Sequence, residues 1–268
     1  SSYYDAVPGS TYDVIGCYHI RLEQTFADFA AAKAAAAAYS DAFPAYHSGA
    51  WYVCVGSYTS QSGAEAARSE RGLSGTAMTA SSSCVTVVAT GSTRILFQFD
   101  YGTSASLAVK ARADSGGADT QTWFKGYKYY GAFQYTRQSG GNMTVMNVVD
   151  IEDYIKGVVP YEMNTAWPLE ALKAQAICAR TYAAAHINGH KSYGFDLCRT
   201  TCCQAYYGTN SAGEGSNRAV EETKGMYITY DGELCQIFYA SSDGGATEDS
   251  ENVFNEALPY LRGVIDPY

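Results

Sequence analysis

The stretch between Val158 and Tyr206 constrains the fold most, because it joins a predicted helix to a loop rich in cysteine. Pro168 is favoured at the first position of a helix, and small or apolar residues then recur at helical spacing until about Gly189. One face of this central helix can therefore pack closely. Within fifty residues the stretch also places the acid Glu162, two histidines and four cysteines. We expect the chemistry of the chain to lie here.

The composition is that of a globular, acidic protein. The 268 residues are 47% hydrophobic and 17% charged, with a formal net charge of −9. This balance argues against nucleic acid or an anionic membrane surface as a partner. The 24 tyrosines suit sugar binding on aromatic faces, and they suit tyrosine packing in β-structure equally well. The chain begins Ser1-Ser2 without methionine, which is typical of a mature or trimmed form.

The first ninety residues predict the order βαββαβ, from β-branched and aromatic runs that alternate with alanine-rich or capped segments. In chain order, the predicted elements are a strand over Tyr12–Ile20, a helix over Glu23–Tyr39, a hairpin of Phe43–His47 and Trp51–Tyr58, a helix over Ser62–Leu73 and a strand over Ser83–Ala89. Cys17, Cys54 and Cys84 lie on three of these strands, as buried thiols or with one disulfide.

One run in this region, WYVCVGSYTSQSGAEAA from Trp51 to Ala67, resembles the strand and helix start of SPOR domains. These are small βαββαβ modules of bacterial envelope proteins that bind peptidoglycan glycan strands. The resemblance implies a SPOR-like glycan-binding domain over residues 1–92, followed by a second domain over 93–268. An unrelated α/β sandwich is the alternative.

The middle of the chain predicts antiparallel β-structure. Four segments alternate in the manner of strands between turns at Asp114–Ala118 and Ser139–Asn142. The segments are Ile95–Tyr101, Leu107–Ala113, Thr122–Arg137 and Met143–Val149. We expect their tyrosines to pack the sheet, with sugar stacking as the alternative. The predicted fold class is α+β: the small module, then a mixed domain with an antiparallel sheet and the central helix.

A long ordered set of motifs resembles the stage II sporulation protein D family, also labelled amidase enhancer or LytB-type. The matching runs are Val158-Val159-Pro160 with Glu162-Met163, Trp167–Ala176, Ala179–Ala183, Phe195–Cys198, Cys203–Tyr206, Phe238-Tyr239, Gly244-Gly245 and Leu258–Leu261. The resemblance covers roughly residues 94–268. It implies a lytic transglycosylase that cleaves the bond between N-acetylmuramic acid (MurNAc) and N-acetylglucosamine (GlcNAc), preferring strands without stem peptides.

In this interpretation Glu162, in a loop between two helices, is the general acid and base. It protonates the leaving oxygen and then accepts the proton of the MurNAc C6 hydroxyl, which attacks its own anomeric carbon to give a 1,6-anhydro end. This role needs a raised pKa, and we expect an apolar wall to supply it. The expected wall residues are Val158, Val159, Met163 and Trp167.

Further site residues follow from the same resemblance. The implied substrate-binding residues are Gln175, Arg180, Gln204, Tyr206, Ser241, Ser242 and Asn252. The sequence departs from the family at Tyr161, where serine is frequent, and at Ala240, where histidine is common. Retention of Glu162 favours an enzyme. The missing histidine favours the rival hypothesis, a non-catalytic, glycan-binding enhancer of another wall hydrolase. A structural component of the sporulation envelope is a third possibility.

The cysteine-rich loop predicts a structural zinc site or disulfides. Thiolate and imidazole groups at close spacing are common zinc ligands, and the candidates here are His190, Cys198, Cys202 and Cys203. Cys202 stands where some family members have a second histidine. The competing interpretation is a set of disulfides that draws in Cys178 or Cys235. The zinc would hold the loop beside Glu162 and would not take part in the chemistry. The implied partners are glycan strands and a cell-wall amidase, at an extracytoplasmic, secreted or membrane-anchored location.

Overall fold

The computed structural model describes residues 14–112, 120–138 and 142–267. These residues form two compact units, one within Ser1–Val109 and Phe133–Asn147, the other within Lys110–Ala132 and Val148–Tyr268. Helices and several separate sheets make up the chain, so the predicted α+β class is confirmed. Among the described residues, no helix combines the length and apolar character needed to cross a membrane.

The first unit is built on a six-stranded sheet with the order β4-β1-β3-β2-β6-β5. Its elements are β1 (Tyr18–Leu22), α1 (Phe29–Ala36), β2 (Ala42–His47), β3 (Ala50–Tyr58), α2 (Gln61–Glu70), β4 (Gly75–Thr79), β5 (Val85–Val88) and β6 (Ile95–Asp100). Strands β1 to β4 pair antiparallel, whereas β6 pairs parallel to β2 and antiparallel to β5. Strand β6 thus continues the sheet past residue 92, where the sequence placed a domain boundary.

The predicted order βαββαβ is present from Tyr18 to Thr79, but the prediction named the wrong final strand. That strand is β4, whose short GTAMT run lacks the β-branched and aromatic residues by which strands are recognised. The predicted Ser83–Ala89 strand forms as β5 and lies at the other edge of the sheet. Tyr12, where the first strand was predicted to start, is outside the described residues. The specific SPOR-like assignment stays a prediction.

Small side chains let the helices of this unit approach the sheet closely. Ala36 of α1 is 4% exposed and packs in a cluster with Ile20, Val53, Val55 and Leu73. Ala36 comes from α1, Leu73 follows α2, and the other three side chains come from the central strands β1 and β3. The cluster therefore holds the helices against one face of the sheet.

The middle of the chain forms two smaller sheets. Strands β7 (Leu107–Lys110), β10 (Ala132–Arg137) and β11 (Met143–Val148) make a three-stranded sheet, and β8 (Thr122–Phe124) and β9 (Tyr127–Tyr129) make an antiparallel hairpin. The predicted turn at Asp114–Ala118 lies outside the described residues, as does most of the turn predicted at Ser139–Asn142.

The second unit is centred on a long helix, as predicted. Its helices are α3 (Ile151–Lys156), α4 (Val159–Glu162), α5 (Leu169–Ala185), α6 (Glu214–Glu222) and α7 (Ser250–Phe254), with a short hairpin of β12 (Thr229–Tyr230) and β13 (Glu233–Leu234). Asp150 caps α3 as expected, since its carboxylate accepts from the Glu152 N–H at 2.9 Å. Buried alanines on α5, including Ala176 and Ala179 at 0% exposure, allow α3, α4 and α6 to pack against it.

Candidate functional site

Glu162 is the last residue of the short helix α4, not part of a loop as the sequence predicted. Val158 and Val159, just before it, are completely buried, so they anchor the start of this helical turn in the core. Pro160 follows in the first turn, where its missing N–H costs nothing. The chain therefore presents Glu162 from a short, well-anchored helix.

The environment of Glu162 favours its protonated form. Partial burial raises the pKa of its carboxyl group, while a hydrogen bond from the Ala205 backbone N–H opposes that rise. Val158 and Val159 are buried as expected, and Met163 is half-buried. Trp167 is 52% exposed and so supplies little of the predicted shielding. The result is a carboxyl group with a raised pKa and one fixed donor.

Gln204 is the centre of a buried hydrogen-bond network next to this carboxyl group. Its side chain is 1% exposed. The amide oxygen accepts from the Tyr154 hydroxyl at 3.0 Å, and the amide nitrogen donates to the Ala179 carbonyl at 3.1 Å and to the Tyr239 hydroxyl at 3.2 Å. Burial, followed by smaller effects that include the charge of Glu162, raises the pKa of Tyr239 to about 12. The network therefore runs from the core to Tyr239, whose pKa is raised in part by the charge of Glu162.

Arg180 is also buried, and its guanidinium is fully used within the protein. Its Nη2 lies 2.7 Å from a carboxylate oxygen of Glu152, and further donors reach the carbonyls of Val220 and Met226. The side chain is 0% exposed. Arg180 thus ties α5 to α3 and to the end of α6, where removal of one partner would cost several kcal/mol, about 3–5.

Tyr206 lies in the same buried layer. It is 7% exposed, and its ring packs 4.6 Å from that of Tyr154 and 5.6 Å from that of Tyr129. A Cβ atom at Gly157 would come within 2.5 Å of the Tyr206 ring, so the close approach of α3 requires glycine there. Burial, chiefly, raises the pKa of the Tyr206 hydroxyl.

The other predicted substrate-binding residues lie nearer the surface. Gln175 on α5 is half-buried, and its amide nitrogen has no hydrogen-bond partner among the described residues. Ser241 and Ser242 are exposed, and so is Asn252, whose amide donates to the Glu248 carboxylate at 2.8 Å. Ser241, Ser242 and Asn252, unlike Arg180, Gln204 and Tyr206, offer exposed polar atoms that a ligand could use, whereas the unpartnered amide nitrogen of Gln175 is itself buried.

The four predicted metal ligands come together. The ligand atoms of His190, Cys198, Cys202 and Cys203 all lie within 4.8 Å of one another, and His190 Nε2 is 3.1 Å from Cys203 Sγ. A tetrahedral ion with bonds of about 2.0–2.3 Å sets its ligand atoms roughly 3.5–4 Å apart, so the group could hold a metal ion. Cys178 and Cys235 are not part of the group, and all eight cysteines, each within the described residues, are free thiols.

The thiols of this group differ in acidity. Burial opposes ionisation of Cys198, but hydrogen bonds from the Thr200 hydroxyl and N–H outweigh it and lower the pKa of that thiol to about 6. Burial and the neighbouring thiols together raise the pKa of Cys203 to about 11. Cys198 therefore forms a thiolate more readily than Cys203, and thiolate is the form that binds metals.

A single segment, residues 198–208, carries three of these cysteines together with Gln204, Ala205 and Tyr206. We call it the cysteine loop. Because the same few residues offer metal ligands, the network amide and the N–H donor to Glu162, a fixed cysteine loop also fixes the surroundings of the carboxyl group.

Residues 139–230 match the family model described as Stage II sporulation protein. This part of the chain is therefore similar to the stage II sporulation protein family. The match spans α3 to α6 and includes Glu162, the buried Arg180 and Gln204, and all four clustered ligands. Tyr239 and the three exposed residues, Ser241, Ser242 and Asn252, lie beyond the matched segment.

Curated relatives agree with this family. An amidase enhancer of Bacillus subtilis is 44% identical over 107 residues, 40% of this chain and 14% of the relative. A stage II sporulation protein D of the same species is 30% identical over 142 residues, 47% of this chain and 41% of the relative. An uncharacterised protein of Brachyspira hyodysenteriae is 42% identical over 150 residues, 54% of this chain and 40% of the relative. The chain thus spans less than half the length of each of these relatives.

Sequence reasoning missed three residues of the site. The Ala205 N–H contacts Glu162, which no side-chain pattern signals. Tyr239 ends the Gln204 network, although it was quoted only as part of a family motif. Arg199 lies in the cysteine loop with its guanidinium carbon 4.6 Å from the centre of the Tyr207 ring. The signal that could have identified Arg199 is its place in the same loop as the aromatic pair Tyr206-Tyr207.

Proposed function

We propose that this chain acts on the bacterial cell wall as a lytic transglycosylase, with Glu162 as its general acid and base. The observation that carries the proposal is the half-buried carboxyl group of Glu162, whose pKa is raised and which has a backbone donor in place. The similarity to stage II sporulation proteins supports a role at the cell wall. The resemblance of the sequence motifs to that family implies the MurNAc–GlcNAc bond of peptidoglycan as the substrate.

The reaction needs a single carboxyl group. Glu162 in its acid form donates its proton to the glycosidic oxygen as the bond from that oxygen to C1 of MurNAc breaks. The resulting carboxylate accepts the proton of the MurNAc C6 hydroxyl, whose oxygen forms the new bond to C1. A GlcNAc hydroxyl and a 1,6-anhydro-MurNAc end result, Glu162 regains its proton, and no water is consumed.

The neighbouring groups have distinct roles in this scheme. The Ala205 N–H stabilises the carboxylate that exists after the first proton transfer, because it donates to the charged form. Gln204 and Arg180, which are buried, position Tyr239 and α5 and do not touch the sugar. Gln175, Ser241, Ser242 and Asn252 remain the candidates for hydrogen bonds to substrate.

The clustered ligands fit structural zinc. Three thiol groups and one imidazole are a common zinc donor set, and their spacing suits tetrahedral coordination. Zinc bound there would supply rigidity, since it would fix the cysteine loop and thereby the Ala205 N–H. His190 and the three cysteines would be its ligands.

Location and partners follow from the same proposal. A protein that cleaves peptidoglycan works outside the cytoplasm, either secreted or anchored to a membrane. Its partners would be glycan strands, with the first unit as a SPOR-like module that binds the same polymer, and a wall amidase. The second candidate function is a non-catalytic enhancer of such an amidase. The exposed Ala240 in place of a histidine and the similarity to an amidase enhancer favour that alternative.

The test is direct. The protein and its Glu162→Gln variant are incubated with peptide-free glycan strands, and 1,6-anhydro products are sought by mass spectrometry. Anhydro ends formed by the parent protein and lost in the folded variant support the transglycosylase. Glycan binding without any product, at the pH where Glu162 is protonated, would instead establish the enhancer.

A further inference from the structure

Arg199 of the cysteine loop carries an unused cationic group. Its side chain is exposed, and its guanidinium lies over the Tyr207 ring at 4.6 Å and over the Tyr127 ring at 5.7 Å. Within the described residues, this guanidinium has no ion pair or hydrogen bond. Stacking occupies the flat face of a guanidinium and leaves its N–H edge available to an anion.

The rings beneath Arg199 form a fixed surface, the tyrosine shelf, made of Tyr127, Tyr161 and Tyr207. The Tyr207 ring lies 5.3 Å from that of Tyr161 and 5.9 Å from that of Tyr127. The Tyr161 hydroxyl also donates to the Tyr207 carbonyl at 3.2 Å. These contacts hold the three rings together without any ligand.

Hydrogen bonds tie the end of the cysteine loop to the β8–β9 hairpin. The Thr209 N–H donates to the Lys128 carbonyl at 2.8 Å, and the Asn210 side chain accepts from the Lys128 N–H at 2.7 Å. Gly208, the last residue of the cysteine loop, has a φ of +73°, and a Cβ there would lie 2.2 Å from the Lys128 carbonyl oxygen. Arg199 therefore stacks on a preorganised support, which lowers the entropic cost of binding an anion.

The shelf is joined to the catalytic group by two routes. Tyr161 immediately precedes Glu162 on α4, and the cysteine loop that carries Arg199 also carries the Ala205 N–H that contacts the Glu162 carboxyl group. A glycan strand that is bound at Glu162 and continues past the shelf would meet the guanidinium of Arg199.

We propose that Arg199 binds the lactyl carboxylate of a MurNAc residue in a peptide-free strand and is the residue that selects such strands. The proposal rests on the proposed function. A free lactyl group is an anion that can accept two N–H bonds from a guanidinium, whereas a stem peptide converts it into a neutral amide. The net charge of −9 disfavours an anionic polymer overall, so attraction must come from a local cation.

The experiment measures binding in the Glu162→Gln background, which removes turnover. The ligands are peptide-free glycan strands, the same strands with their lactyl carboxylates amidated, and chito-oligosaccharides of equal length, which lack lactyl groups. We expect the peptide-free strands to bind about tenfold more tightly than either neutral ligand, the gain of one charged hydrogen-bonded contact. Arg199→Gln should abolish that difference and leave the weaker affinities unchanged.

Matched variants separate a direct contact from a disturbed loop. Arg199→Lys keeps the charge but not the planar fork, so it should retain part of the preference. Arg218→Gln, which removes an exposed arginine that is paired with Glu222 at 2.6 Å, should change nothing. Circular dichroism and metal content verify that each variant is intact.

Two results would overturn the inference. If the parent binds charged and neutral strands equally, or if Arg199→Gln keeps the preference, Arg199 does not select the carboxylate, and anhydro products from the active enzyme would show that the proposed function survives. If no ligand binds at all and no anhydro product forms, both the proposed function and the selection by Arg199 fail.

Discussion

Two buried glutamines, one in each unit, make similar bonds with different consequences. Gln98 in the first unit and Gln204 in the second are each 1% exposed. Gln98 accepts from His47 Nε2 at 2.8 Å and donates to His19 Nε2 and the Thr86 hydroxyl at 3.1 Å each. Gln204 accepts a hydrogen bond from Tyr154 and donates to Ala179 and Tyr239, at comparable distances.

The difference lies in where each network ends. The bonds of Gln98 stay within its own unit and end on His19 and His47, each 3% exposed, and on the half-buried Thr86 hydroxyl. The bonds of Gln204 end on Tyr239, which is 37% exposed and whose pKa is raised in part by the charge of Glu162. A closed polar network can only stabilise and specify a fold, whereas one that reaches an accessible side chain can also position it for chemistry.

The largest expected effect comes from Gln204→Met, paired with Gln98→Met. Both changes keep the side-chain volume but leave buried polar groups without a hydrogen-bond partner. Each should therefore lower the free energy of unfolding, measured in urea, by about 2–4 kcal/mol. Only Gln204→Met should also lower the rate of anhydro-product formation per folded molecule, by about 100-fold, because a small displacement at a catalytic site is costly. Equal rates in the two variants would erase the distinction between the networks.

Removal of the proposed zinc should have the next largest effect. If zinc occupies the proposed site, a chelator would release the cysteine loop that holds Gln204 and the Ala205 N–H, and we expect cleavage to fall about tenfold or more. Proteolysis should then begin within residues 198–208. The unfolding midpoint of the first unit, which contains Gln98, should stay constant. If elemental analysis finds no zinc in the purified protein and chelation changes nothing, the cysteine loop is held by its hydrogen bonds alone.

Lowering the pH should reduce the stability of the first unit, because its buried histidines His19 and His47 become protonated. Burial, the main cause, lowers the folded-state pKa of both His19 and His47 from 6.5. Hydrogen bonds oppose this, from His19 to the Gly56 carbonyl and from His47 to Gln98, and the Asp100 carboxylate also raises the pKa of His47. The charge of His47 further lowers the pKa of His19, and that of Arg21 further lowers the pKa of His47. Protons then bind the unfolded chain first, so stability is complete above about pH 6.5 and falls as the pH drops towards the lowered values. We expect a loss on the order of 1 kcal/mol. Thermal midpoints at pH 7.5 and 5.5 measure it, and His47→Gln should flatten the change.

Glu162 should show the opposite sign. Its raised folded-state pKa means that the folded protein holds the proton more tightly, so its contribution to stability is present at low pH and is lost as the pH rises through that pKa. Glu162→Gln should therefore be more stable than the parent at pH 8 and lose the advantage towards pH 4. A variant that is less stable than the parent at pH 8 would contradict the proposed burial of this carboxyl group.

The smallest effect should come from single hydroxyl groups. Tyr239→Phe removes the end of the Gln204 network but keeps the ring, and Gln204 retains its bond to Ala179. We expect a rate about three- to tenfold lower with little change in stability. Thr86→Val is the matched change at Gln98 and should leave the rate unaltered. A rate loss in Thr86→Val would mean that the first network also reaches the chemistry.

The sequence predicted the elements whose signals are local. Alanines at helical spacing predicted α5, and runs of aromatic and β-branched residues predicted the strands of the βαββαβ order. Strand β4 escaped because its short run contains glycine and polar residues, and its partner β1 lies more than fifty residues earlier. Such pairing depends on tertiary contacts that no local propensity reports.

For the site, the sequence predicted residue identity better than placement. The four candidate metal ligands do lie together, because they are close in sequence, whereas their role as ligands stays a prediction. Arg180 and Gln204 were expected to meet substrate, yet a polar residue on a helix or loop gives no sign of whether its partners are protein groups or ligand. Their complete burial follows from the packing of α3, α5 and α6, which only the structure reveals.

The attachment of the cysteine loop to the β8–β9 hairpin also has a consequence for folding kinetics. The bond between Lys128 and Asn210 joins positions 82 residues apart, and that between Gln121 and Thr209 joins positions 88 apart. Contacts across such long loops form late, after helices such as α5 have formed locally. A partly folded chain therefore has its central helix long before it has a shelf beside Glu162, so the proposed cleavage activity should appear only in the last phase of refolding.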